Sequence, residues 1–261
     1  MKSSALNLYQ AKHSPVHGLD PRVKVILTLL VILSNIVLPD GAWLALGLTW
    51  LFLLLTVAIA RVSFTYLMTR AGIILPFSLA AITTVFSTSG ETLVTLPYLG
   101  WQVSDQGLIH FGSIMARSWL SVQTAILLSA TTKFPDLMHA LRHLKIPPIL
   151  VSTVSFMYRY LFVLLDEARR LIRARTARSA KLPGRKGGTS LSWNVKVGGS
   201  MVGQLLLRSI ERSESIYQAM QDRGYRGHLL TLNPHIMQAK DWVTLGGSVL
   251  ILILLQIMAH F

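Results

Sequence analysis

Apolar runs long enough to cross a membrane alternate with short polar breaks through the first half of the chain, and one more closes it. A spanning helix needs about 20 mainly apolar residues. Five stretches qualify: Val23–Leu38 (short, extended by its flanks), Ala42–Ala60 after the tight "PDG" turn, Tyr66–Phe86, Gly107–Thr131 and Trp242–Ala259. Pro76 is expected to kink the third, since proline removes a helical hydrogen bond and crowds the preceding turn.

Between the fourth and fifth runs, Thr132–Asp241 is too apolar for a disordered tail and too polar for several more spans. The pattern predicts three helices there. Asp136 to about Lys145 is short and amphipathic. The second begins at Pro147–Pro148, where proline suits a first turn, and ends near Lys181 at "PG". Its first half, "ILVSTVSFMYRYLFVLL", has the apolarity of a sixth span, but Arg159 and the small polar residues favour a buried or interfacial helix. The third covers about Leu191–Arg223, with Val202, Leu205, Leu206, Ile210, Ile216, Tyr217 and Met220 recurring at helical spacing. Gly199 and Gly203, four apart, leave one of its faces nearly bare, so a second helix is expected to cross there closely. Two long crossed helices along the membrane surface are preferred over a hairpin of soluble helices. The fold class is all-α membrane protein. Residues 1–131 form a four-span bundle, 132–241 a helical region outside the bilayer, and 242–261 the last span.

Composition agrees: the chain is 52% hydrophobic and 14% charged, against about a quarter charged in soluble domains. It has no cysteine, which excludes disulfides and thiolate metal sites. A formal charge of +14 raises the possibility of nucleic acid. In a membrane protein, excess Lys and Arg first reports topology, and no nucleic-acid partner is expected. The "PDG" turn and the loop Ser87–Gln106 lack Lys and Arg, whereas 18 of the 25 basic residues lie in Thr132–Asp241. The positive-inside rule therefore places the N-terminus and the basic region in the cytoplasm, and the C-terminus outside after five spans of a multi-pass inner-membrane protein. The first two dozen residues are polar, so no cleavable signal is expected.

Candidate chemistry is sparse. Arg169, Arg170, Arg173, Arg175 and Arg178 crowd the end of a long helix, where the helix dipole and anionic lipid both favour cations. A second helix ends in Arg223 followed by Gly224, a common helix stop. Each helix thus ends in an arginine between small or polar residues, Ala177-Arg178-Ser179 and Asp222-Arg223-Gly224, and such ends suit bidentate docking into an acidic groove. Two of them imply a two-lobed or dimeric partner, and Arg175 is placed to share the first docking. No phosphate-binding "GxxxxGK[ST]" occurs, so ATP is not hydrolysed by this chain. His13/His17 and His139/His143 have metal-ligand spacing without a fitting carboxylate, which favours ordinary surface or core histidines. Arg117 lies inside the fourth span, where it either serves function, snorkels outward or bonds carbonyls at a kink. Asp166–Arg170 and Glu167–Arg170 read as surface pairs.

The segments "LDPRVKVILTLL" (Leu19–Leu30), "SFMYRYLFVLLDEARRLIRAR" (Ser155–Arg175), "ARS" (Ala177–Ser179) and "RSESIYQAMQDRGYRG" (Arg212–Gly227) resemble the transmembrane T component of energy-coupling factor importers, over nearly the whole chain. The wording "FMYRYLFVLLDEARR" is most similar to the cobalt branch, CbiQ, which shades into nickel systems. The resemblance implies an L-shaped protein whose two X-Arg-X motifs sit at the ends of coupling helices and enter grooves of two ABC ATPase subunits. Carried over, those motifs are Ala177-Arg178-Ser179 and Asp222-Arg223-Gly224, with Asp222 where the family commonly has alanine. It further implies no cofactor in this chain, ATP and Mg being bound by the partners. The metal is captured by a separate substrate-binding membrane subunit, cobalt-type by branch, with nickel or a vitamin such as biotin as alternatives. Two other classes compete. A membrane-embedded enzyme using Arg117 and the histidines lacks clustered carboxylates. A stand-alone channel or carrier lacks intramembrane carboxylates for a driving ion.

Overall fold

The computed structural model describes residues 9–74, 76, 79–87, 92–96, 101–178, 191–227 and 237–260. Nine α-helices are seen among them: α1 (Pro21–Val37), α2 (Trp43–Ala60), α3 (Phe64–Ala71), α4 (Thr83–Ser87), α5 (Asp105–Thr131), α6 (Phe134–His143), α7 (Pro148–Arg178), α8 (Leu191–Asp222) and α9 (Ala239–His260). Three of these, α2, α7 and α9, combine the length and apolarity needed to cross a membrane.

Four expected spans appear as single helices within a few residues of their predicted ends. The third does not. The helix α3 stops at Ala71 and gives way to short 3-10 turns, Gly72–Ile74 and Leu79–Ile82, before α4. Gly72 and Pro76 are four apart, and a proline ring strikes the carbonyl four residues back and cannot donate to it. The predicted kink is therefore a break. The loop before α5 carries an antiparallel hairpin, β1 (Thr92–Leu96) with β2 (Trp101–Ser104), in the register Leu96↔Trp101 and Thr95↔Gln102 with a bulge beyond Val94. Its β-branched residues suit a pleated pair. Among the described residues the regular structure is all helical apart from this hairpin.

The chain divides into two compact units, residues 1–144 with 234–261, and residues 145–233. The division falls after α6, not at residue 131, because α6 packs on α1. In the first unit α5 runs centrally and touches α1, α2, α3 and α4, while α9 packs on α1 and α2. One buried cluster joins Leu53, Val57, Ala60, Val62, Leu67 and Ala130, and another joins Leu38, Ala45, Leu46 and Leu120. Leu29, Leu33 and Ile36 of α1, Leu44, Leu51 and Leu55 of α2, and Leu250, Ile253 and Leu254 of α9 stand exposed. In water such a surface would aggregate; against acyl chains it is the matching solvent.

In the second unit α7 and α8 pack on one another. At 1.5 Å per residue, their 31 and 32 residues give rods of about 46 and 48 Å. The apolar stripe of α8 is split lengthwise. Leu205, Ile216 and Met220 are half-buried, while Val202, Leu206, Ile210 and Tyr217 are exposed.

Candidate functional site

The arginines near the two expected helix ends fall into those with a partner on the facing helix and those without one. Arg178 is the last described residue of α7, exposed like Ala177 beside it. One turn earlier, Arg175 Nη2 donates to Asn194 Oδ1 of α8 at 2.6 Å, and its guanidinium lies 5.8 Å from the Trp193 ring centroid. Arg175 therefore fastens the two helices together. Ser179 lies outside the described residues, as does the glycine-rich stretch after it.

At the end of α8, Gly224 takes the left-handed conformation (φ 76°). Its amide donates to Gln221 O at 2.9 Å, and the Tyr225 amide donates to Met220 O at 2.9 Å. This pair of bonds is the Schellman stop that glycine permits. It leaves Arg223 as the capping residue, exposed with Asp222 on one side and Gly224 on the other. Among the described residues, no ion pair engages Arg178 or Arg223. Both are cations at helix C-termini, where the dipole favours them, with donors unspent.

Behind those ends the helices are braced by charge. Glu167 on α7 pairs with Arg170 at 3.8 Å and reaches Arg208 of α8. Asp166 pairs with Arg169 at 3.5 Å, not with the expected Arg170. The crossing at Gly199 and Gly203 is not observed, because a Cβ added at either meets nothing within 4 Å. Within the second unit the helix–helix contact runs instead through Glu167–Arg208 and Arg175–Asn194. Bulky pairs hold those rods, and the bare glycine face stays open.

In the first unit several charges are paired internally. Arg117 Nη2 donates to Asp40 Oδ1 at 2.7 Å, and His110 Nδ1 bonds Asp40 Oδ2 at 2.7 Å. Arg117, which the sequence leaves open between function, snorkelling and kink carbonyls, thus reaches an acid of the "PDG" turn between α1 and α2. Burial works to raise the pKa of Asp40, but the hydrogen bond from His110 and the charge of Arg117 outweigh it and hold the carboxyl below its usual range. At the opposite end Asp20 caps α1, accepting from the Arg22 amide at 2.8 Å, and donates its own amide to Asp241 Oδ1 of α9 at 3.1 Å. Lys24, buried, donates to His17 O at 3.0 Å and Thr131 O at 3.2 Å, within electrostatic reach of Asp136, Asp20 and Asp241.

The histidine pairs play structural parts. His17 Nε2 donates to Gln10 O at 3.0 Å and Nδ1 accepts from Ser14 Oγ at 2.7 Å. Burial, opposed by the Gln10 bond and assisted by Lys24 and Lys12, keeps its pKa below the ordinary value. His143 Nδ1 bonds His139 O at 3.1 Å. Among the described residues no three metal-ligating side chains converge. Residue spacing missed the partners Asp40 and Asp241. The available signals were an acid in a turn with no Lys or Arg, and an acid in the first turn of the last helix.

A profile of the family CbiQ, described as "Cobalt transport protein", matches residues 12–235. The energy-coupling factor transporter transmembrane protein EcfT of Heliobacterium modesticaldum is 30% identical over 264 residues, covering 95% of each chain. EcfT of Listeria innocua is 27% identical, covering 87% of this chain and 86% of its own. The cobalt transport protein CbiQ of Rhodobacter capsulatus is 25% identical over 68% of this chain and 70% of its own. By name these relatives are components of transporters. With the helical bundle, the paired long helices and a match over most of its length, this chain belongs to the CbiQ family of cobalt transport proteins, as a transmembrane T component of energy-coupling factor transporters.

Proposed function

We propose that this chain couples ATP hydrolysis in two partner ATPases to a substrate-binding membrane subunit, and that the transported substrate is the cobalt ion. The observation that carries this reading is the pair of exposed, unpaired arginines, Arg178 and Arg223, closing two long helices braced against one another. A helix about 46 Å long transmits a displacement at its end along its axis without bending much. An arginine seated in an acidic groove converts ATPase closure into that displacement through a bidentate, directional grip. The exposed stripe Val202, Leu206, Ile210 and Tyr217 supplies apolar surface for an assembly partner. The basic half of the chain faces the cytoplasm together with the N-terminus, as the charge distribution demands. Cobalt is supported by the family description and by the Rhodobacter capsulatus relative.

The test is uptake of radiolabelled cobalt in cells expressing the whole transporter, with co-purification of the ATPases. Removing one partner of a buried charged hydrogen bond costs about 2–5 kcal/mol. Arg178→Ala and Arg223→Ala are therefore expected to keep expression and insertion but lower uptake, the double variant most. Arg185→Ala and Lys186→Ala are expected to be nearly silent. A double variant that retains its ATPases and transports normally refutes the coupling role. Uptake that nickel carries and cobalt does not refutes the substrate.

A further inference from the structure

A groove between α3 and α5 has a volume of about 380 Å³, within the range of about 300–1,000 Å³ seen for ligand clefts. One wall is Ser129, Ala125 and Val122 of α5; the other is Tyr66, Arg70 and Ile73 of α3 and the turn after it. The two helices run antiparallel along it, so its ends differ in chemistry. Tyr66 and Ser129 lie at the end of the bundle that carries Lys12, Arg61 and Lys133. There the Lys12 ammonium donates to Arg61 O, and Lys133 lies over Tyr9. Ile73 and Val122 lie deeper, where the lining is apolar.

Arg70 is exposed, and none of the ion pairs among the described residues involves it. Its guanidinium sits 4.9 Å from the Tyr66 ring centroid, so the side chain folds back one turn along α3 toward the basic end. Helical side chains lean toward the N-terminus of their helix, and a long cationic chain in a bilayer snorkels to the headgroup level. The hydroxyl of Ser129 already donates to Ala125 O, so the donors free for an anion are those of Arg70. A groove that is apolar in its depth, open to the bilayer and crowned by an unspent guanidinium at headgroup level matches one class of ligand. That ligand carries an acyl chain below and a phosphodiester above.

We propose that the α3–α5 groove binds a single anionic phospholipid, its acyl chain along Ala125, Val122 and Ile73 and its phosphate on Arg70. Basic pockets between membrane helices recognise lipid headgroups through this combination. A neutral partner helix would need the apolar walls but not the guanidinium, and bulk surface attraction would need the charge but not the walls.

Native mass spectrometry of the purified full chain tests this, after exchange into detergent with phosphatidylglycerol or phosphatidylcholine of identical acyl chains. The wild type is expected to retain one phosphatidylglycerol in preference to phosphatidylcholine. Arg70→Gln is expected to lower that retention roughly tenfold, the scale of a lost charge-assisted contact. Ala125→Trp, which fills the groove, is expected to lower it as far while leaving Arg70 in place. Ser129→Trp obstructs the other end of the same wall and serves if Ala125→Trp does not fold. Arg212→Gln, an exposed arginine of the second unit, is expected to change nothing. Equal retention of the two lipids overturns the proposal. So does retention unchanged by Arg70→Gln or by groove filling, or a loss in Arg212→Gln as large as in Arg70→Gln. The readout needs neither ATPase nor cobalt, so it is independent of the transport reading.

Discussion

Replacing Asp241 with alanine should loosen the last helix from the first. Asp241 is 2% exposed. Its Oδ1 accepts the Asp20 amide at 3.1 Å and its Oδ2 accepts the Gln238 amide at 2.8 Å. Asp20 is itself buried, so its amide would find no water, and an orphaned buried donor costs about 1–3 kcal/mol. Gln238 is exposed and its amide can be rehydrated; what goes there is a reciprocal cap on α9, worth about 1 kcal/mol. Lys24 would also lose one of three nearby carboxylates. Together these come to about 3–4 kcal/mol, a large part of the roughly 5–15 kcal/mol that stabilises a domain. The melting temperature should fall on the order of 10 °C. Tryptophan fluorescence is a suitable probe because Trp242 adjoins the site. Asp241→Asn keeps one acceptor and should lose less. Combined with Lys24→Met, Asp241→Ala should lose less than the sum, since the pair shares an electrostatic term of about 0.5–3 kcal/mol. An Asp241→Ala chain that melts with the wild type, or an Asn variant worse than Ala, refutes the reasoning.

Three further outcomes are expected. The Asp40 carboxyl titrates below its ordinary value of 3.8, so its pairing with His110 and Arg117 contributes stability that is full above that pH and lost as pH falls below it; Asp40→Asn should flatten this acid limb in melting curves taken from pH 6 to pH 2. Gly203→Leu should leave the chain's own melting unchanged or raised by up to about 1 kcal/mol, because the added side chain meets open space and glycine is a poor helix former; any loss should appear only as reduced co-purification of partners. In this cysteine-free chain, Gln106→Cys should label from outside intact cells with an impermeant thiol reagent and Ser213→Cys should not, the reverse pattern refuting the orientation.

Helix limits were legible where the stop signal is local. Pro148 and Gly224 each act on the backbone beside them: α7 begins one residue from its expected start at Pro147 and α8 ends one residue from Arg223, while the expected end at Lys181 lies outside the described residues. Partnerships across the fold were not legible. Arg117 meets an acid 77 residues away and the Asp20 amide meets one 221 residues away. Nothing in local spacing chooses among the chain's 11 carboxylates. The third span failed for an intermediate reason: hydropathy averages over Gly72 and Pro76, while the backbone responds to each. The hairpin was hidden because two strands of five and four residues do not stand out in a loop read only for its lack of Lys and Arg. Gly199 and Gly203 show the limit of small-residue spacing, which marks where a helix can be approached but not what approaches it.

The separation of spent from unspent charge is what makes the coupling reading physical. A charge inside a bilayer bundle is expensive unless paired. Accordingly Arg117, Asp40, Lys24 and Asp241 are committed to internal bonds within the membrane unit. In the other unit the bracing arginines, Arg175 and Arg208, are committed to the facing helix, whereas Arg178 and Arg223 at the tips are not. A tip arginine held by a rigid, internally braced rod has its position fixed while its donors stay free, which is the condition for gripping an acidic groove and passing on its motion. Breaking the brace should therefore mimic losing the tips: an Arg175→Ala, Glu167→Gln chain keeps both tip arginines, yet its tips are no longer held at a fixed separation. Exposed pairs contribute little to stability, about 0–1 kcal/mol, so such a chain should melt near the wild type while cobalt uptake falls. Normal uptake in that variant, beside a defect in Arg178→Ala, would show that the tips act singly and that the rods need not be joined.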